Sequence, residues 1–142
     1  MIAIDTNLLV YAHRSGVPEH RRSRRAIESA ARSERGWGIA LASVGEFWSI
    51  VTHPLVGRAA ATERASAFLR TLAAQADMLV WIPGPGFEAR LMERACELDV
   101  RGTRVFDLQI ALTALEHGVT EIWTHDAGFV RVPGIIVRDP LT

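Results

Sequence analysis

The chain has 142 residues, 49% hydrophobic and 23% charged, which suits a single domain over residues 1–142 with a substantial core and leaves no room for two ordinary domains. Its 16 acidic side chains balance 16 basic ones, all arginine, so neither a generally nucleic-acid-coating surface nor an acidic disordered tail is expected, and charge must act through local patches. One cysteine, Cys96, excludes an internal disulfide framework and a cysteine-rich zinc site; with no membrane-length apolar run, and an opening MIAIDTNLLVY that lacks the basic lead and long apolar run of a signal peptide, a cytoplasmic protein without a membrane span is expected.

Met1 to Ile4 reads as a short buried strand, broken by Asp5-Thr6-Asn7 and followed by a helix from Leu8 to about Arg14. A second helix is expected over Glu19 to Arg35. Between His13 and Arg35 there are seven arginines against three glutamates, which is either a solvated helix face or a local basic surface. Gly38 to Leu41 reads as a strand, and Ser43-Val44-Gly45-Glu46 fits the capping-box pattern of a helix running to about His53, before Pro54. Thr62 to Asp77 has helical spacing, Met78 to Ile82 reads as a strand, and Pro83-Gly84-Pro85-Gly86 is a turn leading to a helix over Phe87 to Leu98. A further helix over Phe106 to His117 stops at Gly118, and Glu121 to Thr124 and Ile135 to Val137 read as the last strands. Strands alternating with helices, without hairpin-like strand pairs, imply an α/β fold with a central, mainly parallel sheet and helices on both faces.

In a parallel sheet the carboxyl ends of the strands share one edge, where ligand sites collect. Asp5 follows the first strand, and Asp126 follows the strand Glu121 to Thr124. Glu46 lies in the first turn of the helix leaving the second strand. Asp107 opens a helix of about 12 residues, roughly 18 Å long, that runs back to feed the strand before Asp126. Each acid has an innocent explanation: Asp5 as a helix cap, Glu46 as half of the Ser43 capping box, Asp107 as a favourable charge in a first turn, and Asp126 in an Asx-turn. Four carboxylates at one rim nevertheless repel. Two of them about 5 Å apart at an effective dielectric near 20 oppose each other by roughly 3 kcal/mol, and a divalent cation relieves that naturally. Oxygen-only ligands favour Mg²⁺ or Mn²⁺ over zinc, and Mg²⁺ keeps several waters, one of which can attack a phosphodiester. Thr6 and Asn7 could orient water or phosphate, and Thr124 could orient Asp126.

These segments resemble PIN-domain ribonucleases, in particular the VapC-type toxins of toxin-antitoxin modules. The likeness is carried by Ile-Ala-Ile-Asp5-Thr6-Asn7-Leu-Leu-Val-Tyr-Ala, by Ser43-Val-Gly-Glu46-Phe, by Phe106-Asp107-Leu-Gln-Ile-Ala-Leu-Thr-Ala-Leu-Glu-His-Gly, and by Thr124-His-Asp126-Ala-Gly-Phe129 with the following Val-Pro-Gly and Asp-Pro-Leu. The resemblance implies a three-layer α/β/α PIN-like fold, Mg²⁺- or Mn²⁺-dependent cleavage of single-stranded or structured RNA, a homodimer, and inhibition by a cognate antitoxin. It assigns Asp5, Glu46, Asp107 and Asp126 to metal binding and catalysis, with Thr6 and Asn7 in support. Many relatives carry another acid where this chain has Gly128, so an auxiliary metal role there is absent.

Arg21, Arg22, Arg24 and Arg25 could contact the RNA backbone. Trp37, Trp48, Trp81 and Trp123 are expected to pack in or beside the core rather than stack on bases, with Trp48 the best placed to touch a partner. His125 has no evident partner in the sequence, and Cys96 reads as a small buried apolar residue. Two other functions are compatible with parts of the pattern. One is a catalytically silent PIN-like module that binds RNA or protein, which would have no need to tolerate four crowded acids. The other is a phosphohydrolase using Asp5 as nucleophile, whose chemistry commonly wants an aspartate where Asn7 stands.

Overall fold

The computed structural model describes residues 1–55 and 57–142. Among them, β1 (Ile2–Ile4), β2 (Trp37–Ala40), β3 (Leu79–Trp81), β4 (Glu121–Trp123) and β5 (Ile136–Arg138) form one sheet in the order β3-β2-β1-β4-β5. Every pairing is parallel. The helices are α1 (Thr6–His13), α2 (His20–Ala31), α3 (Leu41–Val51), α4 (Thr62–Gln75), α5 (Phe87–Glu97) and α6 (Arg104–Glu116).

Alternation along the strands divides the core in two. Ile4, Trp37 and Ile39 face a cluster completed by Leu8 and Leu9 of α1, Ile27 of α2, Phe47 of α3 and Ala65 of α4. Ala3, Ala40, Trp81 and Ile122 face the opposite cluster, filled by Phe87 of α5 and Leu108, Ile110 and Ala111 of α6. This is the expected α/β/α layering. Gly38 is placed where β2 meets β3 most closely: a Cβ there would strike the Leu79 carbonyl oxygen and lie 2.9 Å from Leu79 Cβ.

The strand order reverses at the β1–β4 pair. From β1 the chain moves outward through β2 to β3, whereas from β4 it moves outward to β5 on the other side. The crevice at the carboxyl ends of two such strands is the usual ligand position of open α/β sheets. Asp5 follows β1 there, with its N–H donating to the Trp123 carbonyl of β4 at 3.0 Å.

Several expected boundaries shift. Helix α1 begins at Thr6, because Asp5 is its N-cap and accepts from the Thr6 N–H; Thr6 and Asn7 therefore lie in its first turn. Helix α2 stops at Ala31, four residues before Arg35, where a turn closes on Gly36 at φ 84°. The expected capping box is absent. Helix α3 starts at Leu41 directly after β2, its N-cap is Ala40, and Ser43 is already inside the first turn with its hydroxyl buried and unpartnered. Helix α6 starts at Arg104, two residues before Phe106. Cys96 is exposed rather than buried, on the outer face of α5. Trp37 and Trp81 are buried as expected, Trp123 is partly covered and Trp48 is exposed. No helix is long and apolar enough to cross a membrane among the described residues.

Candidate active site

The four acids stand on four separate segments, and polar neighbours hold them unequally. Asp5 is 6% exposed. Its Oδ1 accepts from the Thr6 N–H at 2.7 Å, and its Oδ2 accepts from the Thr124 hydroxyl at 2.6 Å and from Asn7 Nδ2 at 3.3 Å. Burial pushes the Asp5 carboxyl up from 3.8 to about 6; the hydrogen bonds from Thr124 and Thr6 oppose this, while the charges of Asp107 and Glu46 add to it. Asp5 is thus a helix cap and a strained carboxylate at once.

Glu46, freed of any capping role, accepts from the Thr6 hydroxyl at 3.1 Å. Burial raises its pKa, the Thr6 hydrogen bond pulls it down, and the negative charge of Asp107 raises it further. Asp107, in the first turn of α6, is also raised, mainly by burial and against the pull of Arg104. Asp126 lies at the exposed end. Its pKa is lowered, chiefly by the hydrogen bond from Arg104, and its Oδ1 accepts from the Gly128 N–H at 2.8 Å in the expected Asx-turn.

Thr124 does more than sequence reasoning gave it. Its hydroxyl donates to Asp5 and accepts from both Asn7 Nδ2 and the Asp126 N–H at 3.0 Å. One hydroxyl therefore ties the first acid to the backbone of the last. Asn7 extends the chain, accepting at Oδ1 from the His125 N–H at 3.3 Å.

Two features escaped the sequence. Arg104 Nη1 donates to Asp107 Oδ2 at 3.0 Å and to Asp126 Oδ2 at 2.6 Å, so an arginine lies across two of the four acids. Its place three residues before Asp107 was the only sequence signal, and the helix expected from Phe106 left it outside that element. His125, for which no partner was evident, has Nδ1 2.8 Å from Asp139 Oδ2; the pair joins the ends of β4 and β5 and is invisible until these strands are known to be neighbours.

The arginine quartet of α2 divides. Arg22 and Arg25 line a cleft of about 430 Å³ with Trp123, Arg138 and Asp139. Arg22 Nη1 donates to the Leu141 carbonyl, and Arg138 pairs with Glu121 at 2.9 Å. Arg24 instead lines a groove between α2 and α4 with Ile27, Phe68 and Leu72, while Arg21 is solvent-exposed and lines neither.

A family model for the PIN domain matches residues 2–135. The chain belongs to the PIN-domain family. Ribonuclease VapC43 of Mycobacterium tuberculosis is 31% identical over 147 residues, covering 99% of this PIN domain chain and 96% of the relative. Ribonuclease VapC48 of the same species is 27% identical, with 97% and 96% covered. Among solved structures, M. tuberculosis VapC20, described as a Sarcin-Ricin loop cleaving toxin, superposes with a TM-score of 0.69 at 18% identity, covering 93% of this chain and 98% of that one. Rickettsia felis VapBC2 bound to a promoter DNA fragment gives 0.69 at 19% identity, with 98% of each chain covered. At these identities the solved structures bear on the fold of the PIN domain alone.

The residues fit a hard divalent cation by donor type, since the acids supply only oxygen. They also fit by electrostatics, because Arg104 already stands as a cation between two of them. As they stand, no three acidic, histidine or cysteine side chains among the described residues close on one point tightly enough to hold an ion.

Proposed function

We infer that the protein is an endoribonuclease and the toxin of a toxin-antitoxin pair. PIN-domain ribonucleases generally depend on a divalent metal, and the further reading here is that Asp5, Glu46, Asp107 and Asp126 hold Mg²⁺ or Mn²⁺. The observation that carries the reading is the gathering of carboxylates from separate segments at the β1–β4 switch point, three of them raised in pKa chiefly by burial and further by one another's charge, in a chain whose full-length relatives are named ribonucleases. A divalent cation bound there supplies Lewis acidity toward phosphate and acidifies water at neutral pH.

The chain's own residues set the conditions for that chemistry. Hydrogen bonds orient Asp5 through both of its oxygens and Glu46 through Oε1 alone, which leaves Asp5 Oδ1 with one further lone pair and, among the described residues, Glu46 Oε2 free for ligation. Asn7 keeps Thr124 oriented. For the RNA strand, the cleft of Arg22, Arg25 and Arg138 is the favoured path. It connects to the acids through Asp139, His125 and Asn7 in sequence, and arginine forks suit phosphate. Arg24 faces the separate α2–α4 groove, which suits the apolar side chains of an antitoxin segment. A homodimer completes the reading, with Leu41, Trp48 and Ile50 on α3 as exposed apolar surface for a second copy.

Single-stranded RNA incubated with Mg²⁺ or Mn²⁺ provides the test. Asp5→Asn should lower cleavage by about 100-fold or more while RNA binding persists, whereas equal cleavage by both proteins would refute the site. Arg25→Ala combined with Arg138→Ala should weaken RNA binding and flatten its salt dependence; Arg21→Ala combined with Arg24→Ala should not. The reverse ranking would move the RNA path to the other face of α2.

A further inference from the structure

Arg104 is the first residue of α6, and its side chain is 44% exposed. One nitrogen of its guanidinium serves both Asp107 and Asp126, which come from α6 and from the loop after β4. The space for this arrangement depends on residue 128. A Cβ built on Gly128 would fall on Arg104 Nη2, 2.9 Å from Arg104 Cζ and 3.3 Å from Asp126 Oδ1. Gly128 does not have a positive φ, so the turn itself does not demand glycine. What the missing side chain provides is room for the arginine fork.

The four acids divide accordingly. Asp5 is held by Thr124 at the end of β4 and Glu46 by Thr6 in the first turn of α1, whereas Asp107 and Asp126 are drawn together at Arg104. This accounts for four carboxylates that meet at one rim without closing on a common point. A single positive charge can neutralise part of the field of two carboxylates, but it uses the same lone pairs that a divalent ion requires, and its charge repels that ion.

We propose that Arg104, seated over Gly128, is a built-in counter-cation that occupies Asp107 and Asp126 in place of the divalent ion and must be displaced for that ion to bind, so that residues 104 and 128 together set the site's metal affinity. The proposal rests on the metal reading of the four acids. Breaking two exposed charge-assisted contacts is a modest barrier, large enough to tune affinity and too small to prevent binding. Adding a methyl group at position 128 should evict the fork as effectively as removing it, although that substitution adds no charge and no ligand.

The test is isothermal titration of the protein with Mn²⁺ alone, without RNA, for wild type, R104Q, G128A and the double variant. R104Q and G128A should each bind Mn²⁺ about three- to ten-fold more tightly than wild type. The double variant should bind no more tightly than the better single variant, because both changes remove one obstacle. Equal or weaker Mn²⁺ binding by R104Q would overturn the proposal, and fully additive gains would overturn the link between Gly128 and Arg104. If wild type and every variant fail to take up Mn²⁺, the metal reading of the site falls with it; uptake by wild type with no gain in R104Q overturns the role of Arg104 alone. Both positions are exposed, and neither substitution removes core volume.

Discussion

Asp5→Asn should stabilise the metal-free protein at neutral pH while it removes activity. Asp5 ionises at about 6 in the folded chain against 3.8 unfolded, so keeping it charged near pH 7 costs about 3 kcal/mol of folding free energy. The folded state binds the proton more tightly, so the penalty is absent below 3.8, grows as pH rises, and is complete above about 6. Asparagine removes it. The amide can still accept from Thr6, but its NH₂ then meets the Thr124 hydroxyl, which already accepts from Asn7 and from the Asp126 N–H. Losing both hydrogen bonds at Oδ2, the short one from Thr124 and the longer one from Asn7, costs about 2 kcal/mol, leaving a net gain of about 1 kcal/mol and a rise in Tm of roughly 3 °C for a domain of this size. Thermal unfolding in EDTA across the acidic and neutral range measures it. The gain should be present at neutral pH and vanish or reverse near pH ~4. A variant less stable than wild type at neutral pH, or a gain independent of pH, would refute the burial argument. Adding Mg²⁺ should favour wild type, because a ligand stabilises only the form that binds it.

Gly38→Ala should destabilise the fold by about 1–3 kcal/mol through overpacking, since its Cβ would meet the Leu79 backbone and side chain between β2 and β3; an unchanged urea midpoint would show that the sheet yields there. Thr6→Val removes the hydrogen bond that favours ionised Glu46, so its carboxyl should rise further. The acid limb of the pH–kcat/KM profile should then move to higher pH, and an unmoved limb would mean that Glu46 does not govern it.

The rim was legible from sequence because it follows from topology. Once β1 and β4 are parallel neighbours, Asp5 and Asp126 must share an edge, and Glu46 and Asp107 follow from helices that start there. The capping pattern at Ser43 misled because a side-chain cap is a local signal, whereas the start of α3 is set by where β2 stops pairing with its neighbours. Pairing ends at Ala40, and the helix begins immediately. Arg104 was not legible: the helix expected from Phe106 left it outside α6, and its second bond depends on how the loop after β4 approaches that helix. The His125–Asp139 contact required the β4–β5 register, and the outward position of Cys96 required the orientation of α5.

The unequal state of the four acids argues for function more strongly than their number. A protein selected only for stability would lose the buried charge of Asp5, because an uncharged residue there removes the desolvation penalty and the repulsion from Glu46 and Asp107 together. The caps and turns at this rim do not require it, since asparagine caps a helix as well as aspartate does. Asp126, at the solvent edge, is the one acid of the four whose charge the fold stabilises, and it is held by the guanidinium of an exposed arginine. The carboxylates deep in the crevice are thus held by hydroxyls, whereas those at its mouth share one exposed arginine.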